Sequence, residues 1–149
     1  MNKTLSRIGA ALALATGLAA APGAVAGERT SLVTVLTAAD PQTQLMSMVL
    51  SMQALMAGAP VHVLLCGPAG DLALAEPPAG ATAPQKPKGM SPQGLMRTIM
   101  AKGGTVEVCA LYLPNRGVGP EALIAGVAAA RPGPMAARLL ADDTRIMSF

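Results

Sequence analysis

Two cysteines are the residues of this chain best suited to covalent chemistry, and each ends an apolar run. Cys66 closes the run VHVLLC, and Cys109 closes TVEVC, after which the polar segment NRG follows. A thiolate attacks sulfane sulfur and disulfides, so a cysteine at the tip of a strand could carry sulfur or exchange disulfides. Free cysteine is also among the most buried residue types. Position favours a functional thiol at Cys109 and a buried filler at Cys66.

The residues that follow Cys109 could activate its thiol. Arg116, and the amino end of a short helix expected near Pro120, would lower the thiol pKa because both favour negative charge. Asn115 could donate a hydrogen bond to the outer sulfur of a persulfide. These roles are hypotheses that depend on position in the loop alone.

Other reactive constellations are weak or missing from the sequence. The chain has one histidine, His62, without a serine and acid at the spacing of a hydrolytic triad. The segment GPAG lacks the glycine spacing of a phosphate-binding loop. Met48, Met52 and Met56 could be thioether ligands for Cu(I), but they share helical spacing with leucines, which is typical of packing. We therefore expect neither a metal site nor a cofactor.

The first 26 residues have the layout of a signal peptide. Lys3 and Arg7 precede an apolar stretch that ends in the small residues AVA, so we expect cleavage after Ala26, export to the periplasm and a mature domain at residues 27–149. No later segment is long and apolar enough to span a membrane.

Removing Lys3 and Arg7 leaves nine basic and eight acidic residues, and the formal charge falls from +3 to +1. Without a basic cluster, nucleic acid is not an expected partner.

Strand and helix patterns alternate along the mature chain. β-branched or apolar runs predict strands, and capped amphipathic segments predict helices. A segment at 67–90, rich in proline and glycine, is expected to be mostly an irregular loop, with a short helical turn possible at 71–75. Alternation of this kind requires parallel strands and predicts a three-layer α/β/α sandwich. The strands are expected at 31–37, 60–66, 105–111, 126–129 and 144–149, and the helices at 41–57, 92–103, 120–124 and 134–141.

Both cysteines fall at the carboxyl ends of predicted parallel strands. In open α/β sheets, ligands bind and reactions occur at that edge. The topology therefore places Cys109 where a reactive group is expected.

The sequence TVEVCALYLPNRG, preceded by a helix and a double glycine, resembles the signature region of the DsrE/DsrF-like family. The resemblance extends to LVTVLTAADPQTQ, VHVLLCGPAGDLAL, SPQGLMRTIMAKGG and ADDTRIMSF. It implies a five-stranded parallel sheet flanked by helices, assembly into trimers or hexamers, and sulfur carriage as a cysteine persulfide. It also implies that Cys109 is the carrier, with Arg116 and Gly117 in the pair that often follows it. Tyr112 stands where some members have a second cysteine.

The resembled fold places the second and third strands side by side. Adjacent strands lie about 4.8 Å apart, which a disulfide accepts, so a bond between Cys66 and Cys109 is sterically allowed in an oxidising compartment. The sequence leaves open whether the pair is bonded or consists of two thiols.

These observations predict a periplasmic sulfur-relay or thiol-redox protein that carries sulfane sulfur as a persulfide on Cys109. Tyr112, Asn115 and Arg116 are the expected supporting residues, and Cys66 is a candidate second thiol. The alternative is a non-catalytic oligomeric binding module with a structural cysteine, in which the segment 67–90 contacts a partner. The scarcity of aromatic side chains favours self-association, since a small domain gains buried apolar area that way. A sulfur donor or acceptor protein is the other expected partner.

Overall fold

Five parallel strands form a single sheet in the computed structural model, which describes residues 30–149. The expected leader, residues 1–26, lies outside the described residues. The strand order β4-β3-β2-β1-β5 confirms the five-stranded parallel sheet predicted from the sequence. The strands are β1 (Ser31–Leu36), β2 (Val61–Leu65), β3 (Thr105–Val108), β4 (Ala128–Ala129) and β5 (Thr144–Ser148).

The helices begin where the sequence offers a capping side chain or a proline. Asp40 accepts a hydrogen bond from the backbone N–H of Thr43 at 2.8 Å, and Ser91 accepts one from Gly94 at 3.2 Å. A proline occupies the first helical position after each cap, where its missing N–H costs nothing. The helices are α1 (Pro41–Met56), α2 (Ala79–Thr82), α3 (Pro92–Ala101), α4 (Tyr112–Arg116) and α5 (Pro132–Leu139).

The main core lies between the sheet and the pair α1 and α3. Val63 of β2, Met48 of α1 and Ile99 of α3 are fully buried there. Within this layer the hydroxyls of Thr34 and Ser51 lie 2.7 Å apart, which satisfies two buried polar groups.

The opposite face of the sheet carries a smaller cluster under α5. Leu64, Ala130 and Met135 form it, with the two cysteines packed at its border. Because side chains alternate along a strand, Leu64 and Cys66 share this face while Val63 and Leu65 point to the main core. The three-layer sandwich is thus present, with α5 forming the thinner layer.

The segment after β3 differs from the expected open loop. β3 ends at Val108, and YLPNR forms the helix α4, which Gly117 ends in a left-handed conformation with φ 73°. Pro114 is compatible with this helix because the first-turn N–H groups have no partner within the helix. The segment 67–90 is also more ordered than predicted, with a 3₁₀ helix at Gly67–Ala73 and the helix α2. The helix expected at 120–124 is a single 3₁₀ turn at Pro120–Ala122.

None of the helices within residues 30–149 has the length and apolarity needed to cross a bilayer.

Candidate functional site

The two cysteines meet at the carboxyl edge of the sheet. Leu65 pairs with Val108 in the register of β2 and β3, so the next residue on each strand is a cysteine. The N–H of Cys109 donates to the carbonyl of Leu65 at 2.8 Å and extends the ladder by one residue. Cys66 and Cys109 form a disulfide, with their Cα atoms 5.0 Å apart. Of the alternatives that the sequence left open, the structure therefore contains the bonded pair.

The disulfide forms part of the wall of a cavity of about 550 Å³. Both cysteines are half-buried, so the sulfur atoms are neither enclosed in the core nor fully in solvent. The size lies within the range of small-molecule sites. The walls come from the segments after β2 and β3, and the lining residues are Cys66, Gly67, Pro68, Asp71, Cys109, Leu111, Tyr112, Asn115 and Arg116.

Asp71, Tyr112 and Arg116 form a hydrogen-bonded group in the cavity wall. The Tyr112 hydroxyl donates to Asp71 Oδ1 at 2.6 Å, and Arg116 Nε lies 3.3 Å from the same oxygen. Burial of the phenol, reinforced by the carboxylate beside it, raises the pKa of Tyr112 well above its usual value. Tyr112 therefore remains a neutral hydrogen-bond donor at physiological pH.

Asn115 and Arg116 line the cavity as expected, but each already has a partner. The Asn115 side-chain amide donates to the carbonyl of Leu111 at 2.7 Å, one turn back along α4. Arg116 is directed at Asp71 through Nε and Nη2. Of the two activating groups proposed from the sequence, Arg116 lines the same cavity as the cysteine pair, and the turn near Pro120 does not.

Gly70 gives Tyr112 its position. The ring of Tyr112 lies directly against the Gly70 backbone, where a Cβ atom would overlap the ring carbons. Glycine is required here for space and not for a special backbone angle, since its φ is not positive.

Asp71 is the site residue that sequence reasoning did not identify. It follows β2 by a few residues, as the supporting residues follow β3, and so comes to the same edge of the sheet. An acid in the loop after one strand, opposite an arginine in the loop after its neighbour, is the signal that could have found it. The 3₁₀ helix at Gly67–Ala73, which contains Asp71, overlaps only in part with the short helical turn that the sequence allowed at 71–75.

A second polar pair, His62 and Glu107, lies on the same face of the sheet but away from the cavity. His62 Nε2 is 2.8 Å from Glu107 Oε2, and the histidine is buried. Burial and the nearby Arg138 lower the pKa of His62, although Glu107 opposes the shift. His62 precedes Cys66 by four residues on a strand, which places its Cα about 13 Å away.

Among the described residues no group of three His, Cys, Asp or Glu could hold a metal ion.

Comparison with known proteins gives structural matches only. No protein-family model matches the chain, and no curated protein matches it. The crystal structure of the YchN protein from E. coli superposes with a TM-score of 0.62 and 20% identity, covering 80% of this chain and 99% of that one. The protein of unknown function MTH1491 from Methanobacterium thermoautotrophicum gives 0.59 and 12%, covering 82% and 100%. YchN has a DsrE/DsrF-like fold, and the protein described here has that fold as well.

Proposed function

We propose that this protein is an exported, periplasmic sulfur-relay or thiol-redox protein, in which Cys109 carries sulfane sulfur as a persulfide. The observation that carries the proposal is the position of the Cys66–Cys109 pair in the wall of a cavity at the carboxyl edge of the sheet. Stabilisation of the domain by a disulfide does not require an adjacent cavity. Thiol exchange requires that a nucleophile reach the sulfur, and the cavity provides that access.

The loading step uses the reduced pair. The Cys109 thiolate attacks the outer sulfur of a persulfide donor R–S–SH, the new sulfur–sulfur bond forms, and the thiol R–SH leaves with the original electron pair and a proton. Sulfur is thereby transferred without any net oxidation. An acceptor thiolate can remove the outer sulfur from Cys109 by the same displacement.

Cys66 allows a second reaction of the persulfide on Cys109. Its thiolate can attack the inner sulfur of the Cys109 persulfide, which closes the disulfide and expels hydrosulfide. The expelled hydrosulfide takes up the electron pair of the broken bond. The state with Cys66 and Cys109 joined is therefore the discharged, oxidised form, and a thiol must reduce it before sulfur can be loaded again.

Persulfide labelling of the purified mature chain tests this proposal. After reduction and removal of the reductant, polysulfide or thiosulfate is added, and alkylated protein is analysed by mass spectrometry for an additional sulfur atom. The wild type and Cys66→Ser should acquire the sulfur, and Cys109→Ser should not. Cys66→Ser should also hold the sulfur for longer, because it cannot expel hydrosulfide. Loading of Cys109→Ser to the wild-type level would refute the assignment.

The alternative is a non-catalytic binding module in which the disulfide is structural. The double connection between the segments after β2 and β3, by the disulfide and by the Tyr112 to Asp71 hydrogen bond, is the observation that favours it. In that case Cys109→Ser lowers stability but leaves partner binding intact, and the reduced protein takes up no sulfur.

We also propose that the domain assembles as a trimer or hexamer. A small domain with few aromatic side chains gains buried apolar area by associating, and several large apolar side chains of the single chain are exposed. Light scattering on the mature protein at micromolar concentration tests this, and a strict monomer would contradict it. The exposed side chains outside the cavity include Met56, Leu140 and Ile146.

A further inference from the structure

Among residues 30–149, Arg116 is the only basic side chain that lines the cavity, and one edge of its guanidinium group has no partner there. Nε lies 3.3 Å from Asp71 Oδ1, and Nη2 lies 3.5 Å from Asp71 Oδ2. Both contacts lie along one edge of the planar guanidinium group. The other edge, formed by Nη1 and the second hydrogen of Nη2, has no acceptor within residues 30–149.

A free guanidinium edge of this kind is suited to a second carboxylate. Arginine presents its donors as a rigid fork that matches the two oxygens of a carboxylate. The side chain is 49% exposed, so a ligand can reach it. Asp71 fixes the orientation of the fork, and Tyr112 in turn fixes Asp71 with the 2.6 Å hydrogen bond. Asp71 and Tyr112 are thus positioning residues for Arg116.

The rest of the cavity suits a short apolar stem and a sulfur atom. Pro68 and Leu111 supply apolar surface. The Leu111 side chain is 72% exposed and is therefore accessible to a ligand. Cys109 and Arg116 lie on the same strand-to-helix segment, one on each side of Leu111. A molecule that reached both would carry a thiol at one end and an anionic group at the other.

We infer that the cavity binds a low-molecular-weight thiol that bears a carboxylate, with the carboxylate on the free edge of Arg116 and the sulfur at Cys109. This inference rests on the proposed function and names its substrate class. The persulfide of the same thiol would be the sulfur donor. A small thiol, and not a protein, is the occupant because the cavity has the volume of a small-molecule site.

The chemical step is a displacement that balances without a further oxidant. The ligand thiolate attacks Cys109 Sγ, the bond to Cys66 breaks, and Cys66 leaves as a thiolate that takes a proton from water. The product is a mixed disulfide on Cys109. A second ligand thiol then displaces Cys109, which yields the reduced cysteine pair and the oxidised ligand.

Reduction rates of the intact mature protein test the inference. The disulfide is treated with 3-mercaptopropionate or with 2-mercaptoethanol, and free protein thiols are counted after acid quenching. Each rate is divided by the rate of the same thiol with a small uncharged disulfide, which removes the effect of thiol pKa and intrinsic nucleophilicity. We expect the carboxylate thiol to be favoured about threefold or more, as for a partly exposed ion pair.

Variants assign that preference to Arg116. Arg116→Gln should bring the ratio of the corrected rates for the two thiols to about one, and Arg116→Lys, which keeps the charge but loses the fork, should give an intermediate ratio. Arg131→Gln, an exposed arginine outside this cavity, is the matched control and should retain the wild-type ratio.

The possible outcomes distinguish a failure of this inference from a failure of the proposed function. Equal corrected rates for the two thiols, or a preference that survives in Arg116→Gln, would overturn the inference and leave sulfur relay intact. A folded protein whose disulfide resists both thiols would overturn the proposed function and this inference together.

Discussion

Tyr112 Oη donates a hydrogen bond to Asp71 Oδ1 across 2.6 Å and thereby joins the helix after β3 to the 3₁₀ helix after β2. The disulfide joins the same two segments at their bases, directly beyond the strands. The cavity lies between these two connections. When the disulfide is reduced, the hydrogen bond and the ion pair of Arg116 with Asp71 remain, so these contacts should preserve the shape of the site through a cycle of reduction and oxidation.

Loss of that hydrogen bond should weaken the fold measurably. In Tyr112→Phe, the carboxylate of Asp71 loses a charge-assisted partner in a half-buried position, and we expect the free energy of unfolding to fall by about 1 kcal/mol. Urea denaturation of the reduced and oxidised proteins measures it. The same substitution in an Asp71→Asn background should cost clearly less, because the two side chains interact directly. Equal losses in both backgrounds would show that the pair is not coupled.

Gly70 should tolerate no side chain. A Cβ atom at this position would overlap the Tyr112 ring, and neither the backbone nor the packed ring can move away cheaply. We expect Gly70→Ala to lower the free energy of unfolding by about 1–3 kcal/mol, as other overpacked sites do.

Removal of the ring is the matched control for that substitution. In a Tyr112→Ala background, Gly70→Ala should cost clearly less than in the wild type, because the ring that the new Cβ atom would meet is gone. Equal losses in the two backgrounds in urea denaturation would contradict the steric explanation for Gly70.

The sequence was sufficient to predict the sheet because periodicity and strand composition are local properties. Buried parallel strands such as VHVLL carry a continuous apolar run, and the caps Asp40 and Ser91 mark helix starts by residue type alone. From these, the alternation of strands and helices predicts the carboxyl edge and places Cys66 and Cys109 there.

The cavity wall could be predicted only in part, because it depends on contacts between segments far apart in sequence. Arg116 and Tyr112 were expected near Cys109, whereas their common partner Asp71 lies 45 and 41 residues earlier in the chain. Local propensity allowed a short helical turn at 71–75, but it could not indicate that the Asp71 side chain would contact Tyr112. The sequence left open whether Cys66 and Cys109 are bonded or are two free thiols, because sequence alone determines neither strand register nor oxidation state.

The redox potential of the disulfide should distinguish a reactive pair from a structural one. Because both cysteines line a cavity, we expect small thiols to reach their sulfur atoms and the midpoint potential to lie above about −300 mV, whereas structural disulfides typically lie below that value. Equilibration of the folded protein with thiol and disulfide mixtures, followed by alkylation and mass spectrometry, gives the value. A potential below that limit would favour the binding-module alternative. Cys66→Ser, which cannot form the bond, reports any background alkylation.

His62 should make the stability of the protein depend on pH. Its pKa is lowered from the usual 6.5 in the folded state, chiefly by burial and then by Arg138, with Glu107 opposing. Below about pH 7 the unfolded chain therefore binds more protons than the folded chain, and the free energy of unfolding should fall as the pH decreases. The loss begins near the unfolded pKa and continues down to the lower folded pKa, with a slope of at most about 1.4 kcal/mol per pH unit for one proton.

Urea denaturation between pH 8 and pH 5 measures that slope, and the substitution that isolates it is His62→Gln. The chain has a single histidine, so the glutamine variant should lose the dependence in this range, where carboxylates contribute little. A rise in stability with acidification would show that the Glu107 contact outweighs burial and that the folded pKa is raised. In that event Glu107→Gln should restore the slope expected for a buried, neutral histidine, because it removes the opposing charge while the burial and Arg138 remain.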